Sequence, residues 1–322
     1  MAVKVFIDGA AGTTGLEIRE RLQGRDDLAV LVLDDSNRKL AAARSDALNG
    51  ADVVILCLPD DAAREAVTLI TNPAVRVIDP STAHRVAGGW VYGFPELEKK
   101  RREELRHAMR VTNPGCYSTG FLAIARPLVR AGILPPDWPV TCNAVSGYSG
   151  GGRGMIAEFE DESAPNFTRE TVRTYGLNLE HKHVEEMRVH AGLRHRPLFA
   201  PSVGRFYRGM LVEIPLQLWA LPGAPSVAAV HAALADSYRG EDLIEVASLG
   251  EAAGKKILDA EELKNTNRLK LYVFGNEARR QARVVAVLDN LGKGAAGSAV
   301  QCMNLMLGLD ETAGLTFPGV YP

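Results

Sequence analysis

The 322-residue sequence has only four cysteines, Cys57, Cys116, Cys142 and Cys302, and no two of them form a CxxC pair. Their spacing offers neither a disulfide framework nor a zinc site. Free thiols of this kind fit a reducing compartment, and the sequence reads as cytoplasmic. Long hydrophobic runs are also missing. A stretch such as Val53 to Leu58 is strand-sized and far short of a bilayer span, so no membrane partner is expected. Charge of one sign is absent: 37 Lys and Arg face 39 Asp and Glu, a formal net charge of −2. That balance gives no electrostatic reason to expect nucleic acid as a partner. Internal repeats, low-complexity tracts and charge blocks are lacking, and KKRREELR (99–106) reads as a solvated helix face. The opening MAVKVFIDGAAG runs from an apolar stretch directly into a glycine-rich turn, so it reads as a first strand rather than a signal peptide.

What remains is the composition of a soluble globular protein, 46% hydrophobic and 24% charged, with a length that suits two domains. Strand and helix alternate in the first third. Strands are expected at 3–8, 28–34, 51–59 and 75–81, with helices at 14–23, 38–47 and 61–71 between them. This order argues for right-handed βαβ crossovers and a Rossmann-type doubly wound parallel sheet. After Asn113 the texture changes. A helix is expected at 121–131, then longer strands in VTCNAVSGYSG and GMLVEIPLQLWAL, which suit a mixed sheet in a second, α+β domain. A strand at 282–290 and a helix at 299–309 close the chain.

The segment Gly9-Ala-Ala-Gly12-Thr13-Thr14-Gly15 follows the first strand and opens the first helix. Glycines there permit a tight turn and let backbone N–H groups approach a phosphate, while the helix N-terminus adds its dipole. Many strand-to-helix turns need glycine for packing alone, so the pattern gains weight from its place on a βαβ unit. At the end of the second strand, Asp34-Asp35-Ser36-Asn37-Arg38-Lys39 points two ways. The acids suit a ribose diol, whereas Ser36, Arg38 and Lys39 suit the 2′-phosphate of NADP. The residues lean slightly to NADP. The alternative is that Ser36 caps a helix and the two cations are ordinary surface.

Asn113-Pro-Gly-Cys116-Tyr-Ser-Thr-Gly120 is the most informative stretch. A thiol ahead of a helix is favoured as thiolate, which is both a nucleophile and a good leaving group. Cys57, inside VVILCLP, reads as structural because burial raises a thiol pKa. A nucleophilic cysteine wants a base, and His181-Lys-His183 with Glu186 nearby supplies one. The HxH pair could also ligate a metal, but no third ligand cluster accompanies it, and general base is the preferred reading.

With these residues in hand, the chain resembles the N-acetyl-gamma-glutamyl-phosphate reductases, in their shorter form and essentially from end to end. The segments that carry the likeness are FIDGAAGTTG, VVILCLPDDAA, VIDPSTAHR, YGFPEL, NPGCYSTG, VSGYSGGGRG, GLNLEHKHVEEM, PSVGRFYRGM and LDNLGKGAAGSAVQCMNLMLG.

The resemblance implies a mechanism. Cys116 attacks the acyl phosphate, phosphate leaves, and NADPH reduces the thioester to N-acetyl-glutamate 5-semialdehyde in arginine biosynthesis. His181 is the implied general base and acid. His183, Glu186 and Tyr175 are implied to orient His181 or the substrate, with Ser146 and Ser149 as donors to the substrate. Arg208 is implied to hold phosphate or carboxylate, with Arg153 a second candidate whose alternative is a structural ion pair. The family usually has proline where Glu185 stands. For the cofactor, the resemblance and the turn together nominate Gly9, Gly12, Thr13, Thr14, Gly15, Ser36, Arg38, Pro59, Ser81, Gly292 and Gly294. It further implies a discontinuous NADP-binding domain, 1–115 plus 290–322, a catalytic and oligomerisation domain, 116–289, and a homodimer or homotetramer acting on a small acyl phosphate. Aspartate-semialdehyde dehydrogenase and the carrier-bound amino-adipate phosphate reductase of lysine synthesis are the neighbouring readings. A non-catalytic nucleotide sensor on the same scaffold is a third.

Overall fold

The computed structural model describes residues 2–34, 36–37 and 40–315. Their chain divides into two compact units, 1–115 with 295–315, and 116–294.

In the first unit, β1 (Val3–Asp8), α1 (Thr13–Leu22), β2 (Leu28–Leu31), α2 (Ala41–Gly50), β3 (Val53–Leu56), α3 (Asp60–Leu69) and β4 (Arg76–Asp79) alternate. Next come β5 (Val91–Tyr92), α4 (Arg101–His107) and β6 (Arg110–Thr112). Six strands pair in the order β2-β1-β3-β4-β6-β5, all parallel. Strand periodicity of two explains how the sheet is covered. Val5, Ile7, Val53, Ile55 and Ile78 face one core, while Phe6, Val54, Leu56 and Val77 face another. All four residues of β3 are fully buried, as expected for a central parallel strand with helices on both faces.

The second unit begins with α5 (Cys116–Arg130), β7 (Thr141–Gly147), α6 (Gly152–Glu160), β8 (Val172–Thr174), α7 (Val184–Ala191), β9 (Leu198–Gly204) and β10 (Met210–Gln217). It continues through α8 (Val227–Ser237), β11 (Ile244–Val246), α9 (Leu249–Gly254), β12 (Leu269–Asn276) and β13 (Gln281–Leu288). Its seven strands lie in the order β11-β12-β13-β10-β7-β9-β8, with parallel pairs β11–β12 and β7–β9 and antiparallel pairs elsewhere, a mixed sheet. Along β10 the inward Met210, Val212, Ile214 and Leu216 are buried, and the outward side carries the Arg283–Glu213 ion pair. After a π-helical turn at Gly292–Ala296, the chain returns to the first unit as α10 (Gly297–Leu307).

Several boundaries differ from the sequence reading. α5 starts at Cys116 and not at residue 121, because Pro114 fixes the approach to the helix and nothing in Cys-Tyr-Ser-Thr-Gly breaks its first turn. β2 stops at Leu31, and α2 begins at Ala41 with no side-chain cap. Ser36 therefore caps no helix. Instead its N–H and hydroxyl both donate to Asp34 Oδ1, at 3.0 and 2.6 Å. The expected strand through VTCNAVSGYSG ends at Gly147, where a 3₁₀ turn (Tyr148–Gly151) takes over.

Gly120 tests the packing of α5 on the sheet. A Cβ there would stand 2.7 Å from Val212 Cγ2 and 2.8 Å from Val212 Cβ. Alanine gains about 1 kcal/mol of helix propensity over glycine, but Val212 is fully buried in a central strand and cannot swing aside. Overpacking costs of about 1–3 kcal/mol outweigh the gain. Gly120→Ala is expected to lower stability by roughly 1 kcal/mol or more in urea unfolding. A stabilised variant would show that the helix can lift off β10.

Candidate active site

The cysteine stands as the first residue of α5, where the chain enters the second unit. Its surroundings within that unit leave little slack. A Cβ on Gly294 would lie 2.9 Å from Cys116 Cβ and 3.3 Å from its Cα, so the π-turn passes directly against the nucleophile's backbone. The Gly294 N–H is held by the Asp289 carbonyl at 2.9 Å.

Next along α5, Tyr117 is buried and gathers the neighbours. Its hydroxyl accepts from the Tyr175 hydroxyl at 3.1 Å and donates to the Ser202 carbonyl at 3.3 Å. Its ring meets His181 at 5.9 Å, His183 at 5.8 Å and Phe199 at 5.1 Å. Burial, then the charges of Tyr175 and Cys116, raise the Tyr117 pKa well above the ordinary phenol value, against a lowering hydrogen bond with Ser146. The Tyr175 phenol is pushed up to about 12, chiefly by burial, and also by the charge of Cys116. Cys116, Ser146, Tyr175, His181 and His183 therefore come together around Tyr117, a residue for which the sequence reading had no role.

The two histidines pack edge to face with centroids 4.7 Å apart, and the His183 N–H donates to His181 Nδ1 at 3.1 Å. With Nδ1 accepting, the neutral imidazole carries its hydrogen on Nε2. Glu186, in the first turn of α7, is fully buried and accepts from the Ser118 hydroxyl at 2.8 Å. This bond ties the helix that follows the histidines to the first turn of the cysteine helix.

Arg208 is anchored by a carboxylate of its own unit. Its Nε donates to Asp289 Oδ2 at 2.7 Å, with the arginine side chain 14% exposed and the carboxylate wholly buried. Asp289 also accepts from the Asn265 N–H on Oδ2, and from the N–H groups of Leu291 and Gly292 at 2.8 and 3.0 Å on Oδ1. Beside it, Asn290 accepts from the Gly209 N–H at 2.8 Å and donates to Ser149 Oγ at 2.9 Å. Ser149, Arg208, Gly292 and Gly294 are thus members of one network centred on Asp289 and Asn290. An acid-amide pair closing the apolar run ARVVAVL was the available signal for it. Arg153 is exposed at the start of α6.

Three of the four thiols are unsuited to chemistry. Cys142 and Cys302 are fully buried, and burial, with Asp8 and Asp79 nearby, pushes Cys57 up to about 12.

In the first unit the glycine turn can be tested for a nucleotide. Gly9 has φ +83°, and a Cβ there would collide with the Cys57 carbonyl at 2.2 Å. A Cβ on Gly15 would strike Ala10 Cα and the Gly9 carbonyl, both at 2.7 Å. Packing alone explains these two. Gly12 is different, since its Cβ would meet only the Gly9 carbonyl at 3.5 Å, so no protein neighbour demands glycine. A side chain there would fill the cradle above the start of α1, whose N-terminus no side chain caps. The residues fit a dinucleotide phosphate, with Thr13 and Thr14 opening the helix. A cleft of about 310 Å³ continues from this turn over the ends of β1 and β2, lined by Asp8, Gly9, Ala11, Arg19, Leu33 and Asp34 among others.

Of the remaining cofactor candidates, Ser81 is buried and donates to Asp79 Oδ2 at 2.8 Å, in a group where His84 Nδ1 lies 2.6 Å from the same oxygen. Pro59 is the exposed N-cap residue of α3. Arg38 lies outside the described residues. Asn113, just before the cysteine, donates to the Ala295 carbonyl at 2.9 Å, so the two segments that leave the first unit run side by side. Among the described residues no group of three His, Cys, Asp or Glu is placed to hold a metal ion, and no helix is long and apolar enough to cross a membrane.

A parallel nucleotide-binding sheet and a cysteine-bearing mixed-sheet unit are the two parts of a semialdehyde dehydrogenase, and both family models match. The model for the semialdehyde dehydrogenase NAD-binding domain matches residues 4–107, and that for the dimerisation domain matches 116–290. The N-acetyl-gamma-glutamyl-phosphate reductase of Brucella anthropi is 54% identical over 96% of this chain and 99% of the relative, and that of Brucella ovis is 53% identical over 96% and 100%. The chain belongs to the N-acetyl-gamma-glutamyl-phosphate reductase family. In fold it is similar to aspartate semialdehyde dehydrogenase II of Vibrio cholerae, with a TM-score of 0.71 at 16% identity over 96% of this chain and 99% of that one. The Candida albicans aspartate semialdehyde dehydrogenase, solved with NADP, gives 0.64 at 13% identity over 95% and 99%.

Removing the Asp289 carboxylate would leave a mostly buried guanidinium and three backbone N–H groups without their acceptor. Asp289→Ala is expected to cost about 3–5 kcal/mol in denaturant unfolding. A loss below about 1 kcal/mol would mean that water replaces the carboxylate.

Proposed function

We propose that the chain reduces N-acetyl-glutamyl 5-phosphate to N-acetyl-glutamate 5-semialdehyde and phosphate with NADPH, in the cytoplasm, as a step of arginine biosynthesis. The observation that carries the substrate is the 54% identity to a reductase of that name across 96% of the chain. The chemistry rests on Cys116 at the first position of α5.

In this reading the Cys116 thiolate attacks the acyl carbon, the tetrahedral adduct collapses, and phosphate leaves with its oxygen. The product of that step is a thioester on Cys116. NADPH, held at Gly12, Thr13 and Thr14, would supply the hydride that reduces the thioester. His181, with Nδ1 accepting from the His183 N–H, presents Nε2–H as the proton donor to the oxygen that gains negative charge in each tetrahedral species. When the carbon–sulfur bond breaks, the electron pair returns to Cys116 and the aldehyde departs. Tyr117 and Tyr175 exclude water from the thiol. Glu186, anchored on Ser118, fixes the histidine segment, and His183 orients His181 through its N–H. Ser146 and Ser149 bind the substrate. Arg208, engaged by Asp289, acts by positioning the turn that abuts Cys116. The first unit holds the cofactor, with Gly12, Thr13 and Thr14 at its phosphates. The second unit's sheet joins subunits into a homodimer, or a homotetramer built from two.

The test is phosphate-dependent reduction of NADP by N-acetyl-glutamate 5-semialdehyde, with aspartate semialdehyde as the control. Turnover with the acetylated aldehyde alone is expected, and a preference for aspartate semialdehyde would overturn the substrate. Cys116→Ser is expected to lose turnover by about 10⁴-fold or more while still binding NADP. Gly294→Ala, whose added methyl would press on Cys116, is expected to lower kcat at least tenfold with KM changed far less. Equal effects on both constants would place Gly294 in substrate binding.

A further inference from the structure

The cleft beside the glycine turn holds three charged side chains, and two of them are already engaged. Asp8 accepts from Arg44 Nε at 2.8 Å. Asp34 is the residue whose type and place suit a ribose diol, at the end of the β2 segment. Its two oxygens accept from the Ser36 N–H and hydroxyl, the Asn37 N–H at 2.8 Å and the Asn37 amide at 3.2 Å. Four donors on one carboxylate make Asp34 the staple of the turn after β2, with its charge largely answered by that turn. The third is Arg19, on the second turn of α1, exposed and lining the same cleft. Among the described residues no ion pair engages it. It lies six residues beyond the Thr13 that opens α1, in the cleft that Val32, Leu33 and Asp34 at the end of the β2 segment also line. A pyrophosphate on the helix N-terminus would therefore leave Arg19 beside the adenosine ribose.

We infer that Arg19 binds the 2′-phosphate of NADP and is the residue that sets NADP over NAD, with Asp34 serving the turn instead of a ribose diol. A guanidinium suits a phosphomonoester dianion, which it can grip with two parallel N–H groups. The inference rests on the proposed NADP dependence and assigns its discriminating contact to a side chain outside the β2 loop.

The experiment is equilibrium binding by titration calorimetry to the full chain, without turnover, using NADP, NAD, 2′,5′-ADP and 5′-ADP. Wild type, Arg19→Met and Arg19→Lys are compared, with thermal melts confirming that each is folded. Arg19→Met is expected to weaken NADP and 2′,5′-ADP at least tenfold and to leave NAD and 5′-ADP within twofold. Arg19→Lys should recover part of the loss. An equal loss for NAD and NADP would move Arg19 to the pyrophosphate and overturn the inference. Unchanged NADP binding in Arg19→Met, with wild type still preferring NADP, would overturn Arg19 alone and leave the cofactor reading standing. A wild type that does not prefer NADP would overturn both.

Discussion

The site of the second unit depends on one buried negative charge. Asp289 is wholly withdrawn from water, and an isolated carboxylate in that position would cost many kcal/mol. It is tolerable only because Arg208 and three backbone N–H groups converge on it. Satisfying it fixes the chain around it. Leu291 and Gly292 must turn back toward the carboxylate, which brings Gly294 against Cys116. Asn290 is then placed to clamp Gly209 and Ser149, and the loop after β7 is laid along residues 206–209. The position of the nucleophile thus follows from an electrostatic requirement just past the end of β13, far from the thiol's own helix in sequence.

A second constraint is steric. The glycines at 9, 15, 120, 147 and 294 stand where a methyl group would overlap backbone or fixed side chains. Gly12 is the exception, and the contrast separates glycine used for packing from glycine that keeps a surface open. The same distinction applies to the charged side chains of the cleft, where Asp34 and Asp8 are bound up in the protein's own structure while, among the described residues, no ion pair engages Arg19.

Much of this was legible in the sequence. The apolar run Val53 to Leu56 reads as a strand covered on both faces because nothing polar interrupts it, and the glycine turn announces its place by following β1. Cys116 stood out through its neighbours. Legibility failed where a residue's task depends on contacts distant in the chain. The Arg-Gly context of Arg208 does not announce that its Nε will meet Asp289, 81 residues on. Tyr117 sits within NPGCYSTG with no role legible there, since nothing local reveals that Tyr175, Ser146 and two histidines will meet it. Ser118 and Glu186, 68 residues apart, are invisible for the same reason. The start of α5 was misjudged because the apolar stripe begins at Phe121, whereas the helix begins where Pro114 allows.

The first unit is closed by the far end of the chain. α10 supplies Ala299, Val300, Cys302 and Met303 to the core that β1, β3, β4 and β6 build, and Gln301 and Asn304 bind Glu96 and Arg25. During synthesis, residues 1–115 therefore leave the ribosome with one side of their sheet covered by α1 and α4 but lacking α10. The place of α10 stays open while some 180 further residues are made. At ordinary translation speeds this lasts on the order of ten seconds or more, long enough for other elements to fold first. A chain stalled or cut before residue 295 would carry a complete set of parallel strands and an apolar gap where α10 belongs, a species for chaperones to hold.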